Sequence, residues 1–294
     1  MLGEMIRRNI RLYFRDKATF LTSLITPVIL LVLYVSFLGN VFRDAFQAVF
    51  APFGGLPEDL LSGCVGAQLI SSILAVSCVT VTFCSNFLMV QDKVSGAVRD
   101  FAVTPAPNGR FALAYYLSNL ASSLLICFTA TAICLLYVAL TGWYFNLWDV
   151  LRLLGDVFLM VLFGNAISSL INSRLSSQGH ISAVGTIVSS GYGFICGAYM
   201  PISQFSPALQ KVLSALPGTH GTALLRSDAM GGVFREMERL GFPAEALDEL
   251  RMSMDCRVQI AGSTVPVWAM YAYLCGTTLL MVLFHVWLTR RKRV

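Results

Sequence analysis

Long stretches without any charged residue most strongly limit what this chain can fold into. Residues 64–90 and 111–140 contain no Asp, Glu, Lys or Arg. A bilayer core about 30 Å thick requires roughly 20 consecutive apolar residues per helix. Only 13% of the residues are charged, whereas soluble domains average about 25%. The chain is therefore predicted to be an integral membrane protein, because a soluble fold would need more charged surface.

The apolar segments predict six membrane spans within a single domain, residues 1–294. The fourth segment carries Asp149, Arg152 and Asp156 near its start. We expect helices, since a helix satisfies its own backbone hydrogen bonds in lipid and these runs lack the alternation of a barrel. The predicted fold class is an all-α integral membrane protein with six transmembrane helices, at residues 20–42, 64–90, 111–140, 147–171, 180–200 and 265–288.

Lys and Arg are distributed unevenly between the two ends of these spans. Five precede the first span, four follow the sixth, and residues 91–110 carry three more. The loop after the first span has one Arg, and the loop after the third has none. Because cytoplasmic loops are enriched in Lys and Arg, both termini and residues 91–110 are predicted to face the cytoplasm. The segment 201–264 then lies outside the cell.

The N-terminal stretch has its own pattern. Leu2, Met5, Ile6, Tyr13 and Phe14 recur at helical spacing, and most of the arginines lie off that stripe. This pattern predicts an amphipathic helix over residues 1–19, lying in the cytoplasmic interface and contacting membrane lipid. A basic anchor that only sets the topology is a compatible alternative, because anionic headgroups attract such residues.

The sequence lacks the patterns of an active site, a metal site or a nucleotide site. His180, His220 and His285 do not have metal-ligand spacing, and no H-E-x-x-H, G-x-S-x-G or G-x-x-x-x-G-K-[ST] motif occurs. We expect no catalytic residue, metal or cofactor on this chain, and no nucleic-acid partner. Of the eight cysteines, Cys64 and Cys256 are the two that could face the outside, and their pairing is left open.

One acidic residue lies deep enough in a span to suggest ion coupling. Asp156 follows Arg152 by four residues, so a local ion pair on one helix face is the simplest interpretation, with a substrate contact as the alternative. An ion-coupled secondary transporter remains the alternative from a different class. It would need a deep proton or sodium site and often an inverted repeat, and the sequence indicates neither.

A short charged segment, GAVRDFAVTPAPNGR at residues 96–110, separates the second and third apolar runs. Residues 89–103 can continue the second span as a helix, and TPAPNG then breaks it, because prolines restrict their predecessors and Asn-Gly favours a turn. A rigid helix carrying Lys93, Arg99 and Asp100 outside the bilayer would suit contact with a soluble partner. A polar loop that only joins two spans is the alternative.

Three motifs occur in a recognisable order along the chain. RNIRLYFRDKATFLTSLITPVILLVLYVSFL comes first, SGAVRDFAVTP second and MPISQFSPALQKVLSALPGTHGTALLR third. They resemble the interface helix and first span, the G-x-x-x-x-x-x-[VS]-[TS]-P motif and the segment after the fifth span of the ABC type-2 permeases, the membrane subunits of bacterial ABC exporters. The matching positions are Gly96, Thr104, Pro105, Pro201, Leu216, Pro217, Thr219, His220 and Arg226.

The sequence departs from this family in two places. The acidic run that often precedes the family's coupling helix is replaced by QDKVSG, in which Asp92 keeps one acid and Val94 occupies the position of another. Residues 232–262 lengthen the outer segment, and Ala246, Leu247, Leu250 and Met254 form a helical stripe there. The role of this added segment is left open.

The resemblance implies a permease driven by a separate ATPase in the cell membrane of a bacterium. Two permeases, identical or sister chains, would pair, and ATP and Mg would bind to the partner ATPase subunits. Coupling to the ATPase would use residues Asp92, Gly96, Val98, Arg99, Asp100, Phe101, Val103, Thr104 and Pro105. Re-entrant helices at the outer face would include Pro201, Pro207, Pro217, Thr219, His220 and Arg226; an ordinary extracellular cap is the alternative.

Small and polar residues in three spans are candidates for a substrate path, namely Thr22, Ser23, Thr26, Ser71, Ser72, Ser189, Ser190 and Tyr192. Small residues also permit close helix packing, which is the alternative interpretation. No ring of charges marks an ionic cargo. Export of a hydrophobic or amphipathic drug, peptide or lipid-like molecule is therefore expected, with export of a polysaccharide or lipid-linked glycan as the alternative.

Overall fold

The protein is almost entirely helical in its computed structural model, which describes residues 2–51, 55–98, 108–260 and 262–291. A π-helical turn, Tyr34–Leu38, joins the helices Lys17–Leu33 and Gly39–Phe50, and a 3-10 turn, Ile202–Gln204, precedes the helix Pro207–Ser214. A two-stranded antiparallel hairpin pairs Gln259 with Thr264. The helices are α1 Leu2–Arg15, α2 Lys17–Leu33, α3 Gly39–Phe50, α4 Glu58–Val94, α5 Asn108–Thr141, α6 Leu147–Asn172, α7 Gln178–Ile195, α8 Pro207–Ser214, α9 Pro217–Arg239, α10 Ala244–Ser253 and α11 Val267–Arg291, and the strands are β1 Gln259–Ile260 and β2 Ser263–Thr264.

The central helix of the bundle is α4. Its 37 residues extend over about 55 Å, well beyond the thickness of a bilayer core. It is buried along nearly its whole length and contacts α2, α3, α5, α6, α7 and α9. A helix that is apolar on all sides belongs in the centre of a bundle, which explains why residues 64–90 contain no charge.

Five of the described helices are long and apolar enough to cross a membrane, rather than the six predicted. They are residues 27–50, 58–94, 109–141, 147–172 and 267–288. The first lies later than the predicted 20–42, because the helix continues through the π turn into α3. The span predicted at 180–200 corresponds to α7, whose 18 residues reach only about 27 Å. Its Gly, Ser and Thr content lowers its hydropathy, and the chain turns at Gly197.

The two ends of the bundle differ in composition. At one end, called the basic end here, α1 contacts α5 and the last turn of α4. The connection at residues 173–180 and the end of α11 also lie at this end, near Lys93 of α4. At the other end, called the cap end, α3 contacts α4 and α10, α10 contacts α9, and the hairpin strand β1 contacts α8. The predicted N-terminal helix is thus present as α1, with Asn9 and Tyr13 buried.

The added outer segment forms the cap. The predicted stripe is confirmed, since Ala246, Leu247 and Leu250 of α10 are buried, together with Met254 just beyond it. Cys256 is also buried, with its sulfur 3.6 Å from the sulfur of Met230. All eight cysteines are free. Cys64 and Cys256 therefore do not pair; Cys64 is buried on α4, and Cys256 is buried against Met230 of α9.

Candidate functional site

At the basic end, an ion pair joins α1 to the central helix. The Arg8 guanidinium donates to the Asp92 carboxylate at 2.9 Å, and the Tyr115 hydroxyl of α5 donates to the same carboxylate. The bond to Asp92 raises the pKa of Arg8. Asn9 donates to the Ser118 hydroxyl at 3.3 Å beside this pair. Because α1 carries both Arg8 and Asn9, its position is tied to the last turn of α4 and the first half of α5.

The predicted coupling segment begins directly below this ion pair. The helix α4 ends at Val94, with Ser95 as its C-cap, and Gly96 has a φ of +84°. This left-handed conformation suits Gly and breaks the helix, so the second span does not continue unbroken to residue 103 as expected. Helical geometry resumes at residues 97 and 98. Arg99, Asp100, Phe101, Val103, Thr104 and Pro105 lie outside the described residues.

Two side chains expected to face a soluble partner are instead used inside the molecule. The Asp92 carboxylate is buried against Arg8 and Tyr115. The Lys93 ammonium donates to the Ser173 carbonyl at 3.0 Å, between α6 and α7. Both sit on the last turn of α4, where neighbouring helices still surround it. Of the predicted coupling positions, Gly96 and Val98 are the described ones that stand beyond the helix bundle.

A polar network that was not predicted from the sequence crosses the interior of the bundle. Asn119 of α5 contacts Asn165 of α6 and Ser85 of α4, and its amide also donates to the Thr82 carbonyl at 3.3 Å. Asn86 donates to Ser168 and Ser169 at 3.2 and 3.1 Å. Asparagines within otherwise apolar runs were the available signal, because an amide in hydrocarbon needs partners on adjacent helices. The network locks α4, α5 and α6 together.

Four of the eight residues predicted to line a substrate path are committed to packing. Ser23 accepts from the Tyr13 hydroxyl at 2.8 Å, Ser71 donates to the carbonyl of Gln68 in its own helix, and Ser72 accepts from Arg226. Tyr192 is half-buried, with its hydroxyl close to Gly218. The side chains of Thr22 and Thr26 lie outside the described residues.

Ser189 and Ser190 do lie on a cavity. A groove of about 550 Å³ runs between α7 and the stretch formed by α2 and the π turn. Its other lining residues are apolar or aromatic, including Leu33, Phe37 and Phe194. The π turn places Tyr34 at its edge, and the Tyr34 hydroxyl donates to the Ala198 carbonyl at 2.6 Å. Single π turns inside α-helices often occur at functional sites.

Asp156 does not form the ion pair with Arg152 that the sequence predicted. Its carboxylate accepts from the Tyr271 hydroxyl of α11 at 2.6 Å, and Asp228 of α9 lies 3.2 Å from the same hydroxyl. Arg152 is exposed, and among the ion pairs of the described residues none joins it to Asp156. Asp156 faces the bundle, so its partner comes from a neighbouring helix and not from its own.

At the cap end, Arg226 organises the residues after α7. It is 1% exposed, and it donates to the carbonyls of Met254 and Gly197 at 2.9 and 3.0 Å and to the Ser72 hydroxyl at 3.2 Å. Asp255 lies 3.6 Å from the guanidinium and accepts from the Ile202 N–H at 2.7 Å. Burial raises the pKa of the Asp255 carboxyl, with Arg226 opposing the shift. Arg226 thus joins α4, α9 and the two loops.

The predicted re-entrant residues frame this region. Pro201 precedes the 3-10 turn, and Pro207 and Pro217 occupy the first turns of α8 and α9, where a missing N–H costs nothing. The Thr219 hydroxyl donates to the Leu213 carbonyl at 2.7 Å, and His220 Nε2 lies 3.0 Å from the Ser214 carbonyl. These bonds hold α8 against the start of α9, above a cavity of about 880 Å³.

The profile of the ABC-2 type transporter family matches residues 2–228. The chain belongs to the ABC-2 type transporter family. The match extends from α1 into α9, and so includes both the Gly96 segment and Arg226. No curated protein matches the chain. The ABC-2 membrane domain is the permease component of an ABC transporter and normally works with an ATPase subunit.

In this ABC-2 permease, the described residues hold no group of three His, Cys, Asp or Glu side chains placed to bind a metal ion. The charged contacts instead link helices at the two ends of the bundle. Arg8 with Asp92 and Arg226 with Asp255 are such links. The described helices thus form a bundle with charged links at both ends and a groove between α7 and the stretch of α2 and the π turn.

Proposed function

We propose that this chain is the membrane subunit of an exporter that moves a hydrophobic or amphipathic molecule out of a bacterial cell, powered by a separate ATPase. The observation that carries the proposal is the family match together with the apolar groove between α7 and the π turn. A mainly apolar groove with two hydroxyl groups suits a molecule with a large apolar surface. Both termini and the basic end face the cytoplasm in this proposal.

The ATPase docks at the segment that follows α4. Gly96, with a φ of +84°, follows the end of α4, and residues 97 and 98 are the described ones that come after it. Movement of that segment is transmitted through the last turn of α4, where Asp92 is held by Arg8 and Lys93 by the Ser173 carbonyl. A push on this segment would therefore move α1, α4 and the α6–α7 connection together. ATP and Mg bind to the ATPase and not to this chain.

Two permease copies, or a copy and a sister chain, face each other across the groove. Exposed apolar side chains lie on both helices, with Val28, Leu33 and Phe37 on α2 and the π turn and Ile187 and Phe194 on α7. If the two helices packed directly against each other, these side chains would be buried. A second permease would convert the open groove into an enclosed path. The re-entrant segment at residues 203–230 would shape the exit from this path.

Copurification and transport test this proposal. The chain alone should neither bind nor hydrolyse ATP, and it should form a complex with the ATPase encoded beside its gene. Inverted vesicles containing both proteins should accumulate a fluorescent amphipathic dye when ATP is added. Accumulation driven by a proton or sodium gradient without ATP would favour a secondary transporter. An ATP-driven complex that moves a lipid-linked glycan and not the dye would favour the alternative cargo.

The coupling segment is tested by point variants. Phe101→Ala should weaken ATPase binding more than Arg99→Ala, because a buried aromatic anchor is worth about 2 kcal/mol or more and an exposed ion pair about 0–1 kcal/mol. Gly96→Pro should also impair coupling, since proline cannot adopt the φ of +84° found there. If both Phe101→Ala and Gly96→Pro fold and retain full ATPase binding and transport, the segment only joins two spans.

A further inference from the structure

The large cavity at the cap end has features of a ligand site that the groove lacks. Its volume is about 880 Å³, within the range of about 300–1,000 Å³ that small-molecule sites occupy. It lies between α8, the start of α9 and the chain from Met252 to the hairpin. It is therefore separate from the groove beside α7 and from the coupling segment at the basic end.

The charges that line this cavity are mostly positive. Lys211, Arg226 and Arg257 line it, and Asp255 is the carboxylate among the described lining residues. Asp255 is committed to Arg226 and to the Ile202 N–H. The two remaining cations are therefore not neutralised from within the cavity, and an anion placed there would meet a positive potential.

Lys211 and Arg257 make few strong polar contacts with the rest of the described residues. Lys211 is exposed, and no described hydrogen bond or ion pair involves its ammonium group. Arg257 contacts Asp248 at 3.5 Å, but Asp248 also accepts from Arg251 at 3.0 Å. Both side chains can thus turn toward a ligand without breaking a strong interaction.

About half of the uncharged residues of the wall are apolar. Ile202, Pro207, Ala223, Val258 and Ile260 line the cavity between the charged positions. Exposed Leu209 and Val212 lie on other faces of α8, the helix that also contributes Lys211. An inorganic anion would fill only a small part of this volume and would leave the apolar wall uncovered.

We propose that the cap cavity binds an amphipathic molecule with an anionic group, such as a phosphate, sulfate or carboxylate, held by Lys211 and Arg257, with its apolar part against the Ile202–Val258 wall. This proposal names a substrate class for the proposed exporter, and in that respect it rests on the proposed function. The binding step does not depend on the ATPase. Arg226 and Asp255 shape the floor of the cavity and are not the groups that contact the anion.

Binding to the purified chain in nanodiscs of a neutral lipid tests the proposal. Decyl phosphate should bind more tightly than decyl maltoside or decyltrimethylammonium, and its affinity should fall with salt, because exposed charges are screened. Lys211→Gln and Arg257→Gln should each weaken decyl phosphate binding by about fivefold. Arg239→Gln is the matched control, since Arg239 is an exposed arginine of the same outer segment that does not line the cavity.

Charge reversal gives a second measurement that does not depend on a loss of affinity. Lys211→Glu should shift the preference toward decyltrimethylammonium. Equal affinity for the three decyl probes, unchanged affinity in both Gln variants, or equally tight binding of inorganic phosphate would overturn the proposal. Competition by anionic phosphatidylglycerol in the nanodisc would identify a lipid headgroup as the occupant; binding that persists would indicate a soluble amphipath.

Binding and transport together separate this inference from the proposed function. If decyl phosphate binds as described but ATP drives no transport of any amphipath by the complex, the cavity remains a ligand site and the proposed exporter is wrong. If transport of a neutral dye proceeds and no probe binds to the cavity, the exporter stands and this inference is wrong.

Discussion

Arg226 and Ser72, which are 154 positions apart in the sequence, meet in a 3.2 Å hydrogen bond from Nη2 to Oγ. The same guanidinium holds the carbonyls of Gly197 and Met254. A buried arginine with three acceptors and a carboxylate beside it connects the centre of α4 to the cap. Arg226 is therefore one polar link between the cap and the membrane bundle, beside the ion pair of Arg235 with Asp149 of α6 and apolar packing.

Removing this arginine should destabilise the protein strongly. Arg226→Met leaves two buried carbonyls without donors and Asp255 without its cation, so the free energy of unfolding should fall by about 3 kcal/mol or more. Ser72→Ala removes one of the acceptors and should cost about 1 kcal/mol. Unfolding in detergent followed by circular dichroism measures both. Similar losses in the two variants would show that Arg226 does not organise the cap.

Close packing of α6 on α4 should not tolerate a methyl group at Gly164. A Cβ there would lie 2.9 Å from the Cys78 carbonyl oxygen and 3.1 Å from the Val79 Cα. Gly164→Ala should therefore lower the free energy of unfolding by about 1–3 kcal/mol. Gly155→Ala on the same helix is the control, because nothing lies within 4 Å of its Cβ position; it should be neutral or slightly stabilising, by up to about 1 kcal/mol.

The ion pair at the basic end should determine how firmly α1 is held. Arg8→Gln leaves the buried Asp92 carboxylate with Tyr115 but without its cation, and we expect a loss of about 1–3 kcal/mol. Proteolysis within α1 should become faster. Arg7→Gln is the control, because Arg7 is exposed on the same helix; its effect should stay within about 0.5 kcal/mol. Equal protection of α1 in both variants would contradict the assigned role.

His220 should make the protein less stable in acid. Burial lowers its pKa, so the unfolded chain takes up a proton before the folded protein does. Stability contributed by the neutral ring is present above the ordinary pKa of about 6.5 and is lost as the pH falls through the lower folded value. The melting temperature should fall between about pH 7.5 and about pH 5. His220→Gln should reduce that fall, whereas His180→Gln, at an exposed position, should leave it unchanged.

Thiol labelling tests the orientation in the membrane. Single cysteines replacing Glu58 and Glu245 in a cysteine-free background should react with an impermeant reagent in intact cells, since both positions are exposed at the cap end. A cysteine replacing Lys292, which lies outside the described residues, should react only after lysis. The Lys and Arg bias motivates this expectation. Labelling of position 292 in intact cells would reverse the proposed orientation.

Local features of the sequence were sufficient for several elements of this fold, although the span predicted at 180–200 is not among the five described helices long and apolar enough to cross a membrane. The charge-free runs predicted the helices that became α4 and α5, the apolar stripe before residue 15 predicted α1, and the spacing of Ala246, Leu247 and Leu250 predicted α10. Pro207 and Pro217 mark the starts of α8 and α9. Hydropathy, helical periodicity and proline geometry depend on neighbours within a few positions, which is why they can be read from the chain alone.

The partners of the polar side chains were decided only by the tertiary structure. Sequence proximity suggested Arg152 for Asp156, but packing of α6 against α11 supplied Tyr271. Asp92 was expected to face an ATPase, and the docking of α1 buried it beneath Arg8. A buried polar group must be satisfied by whatever donor the packed helices bring to it. That donor lies tens of residues away in the chain, and no local pattern specifies it.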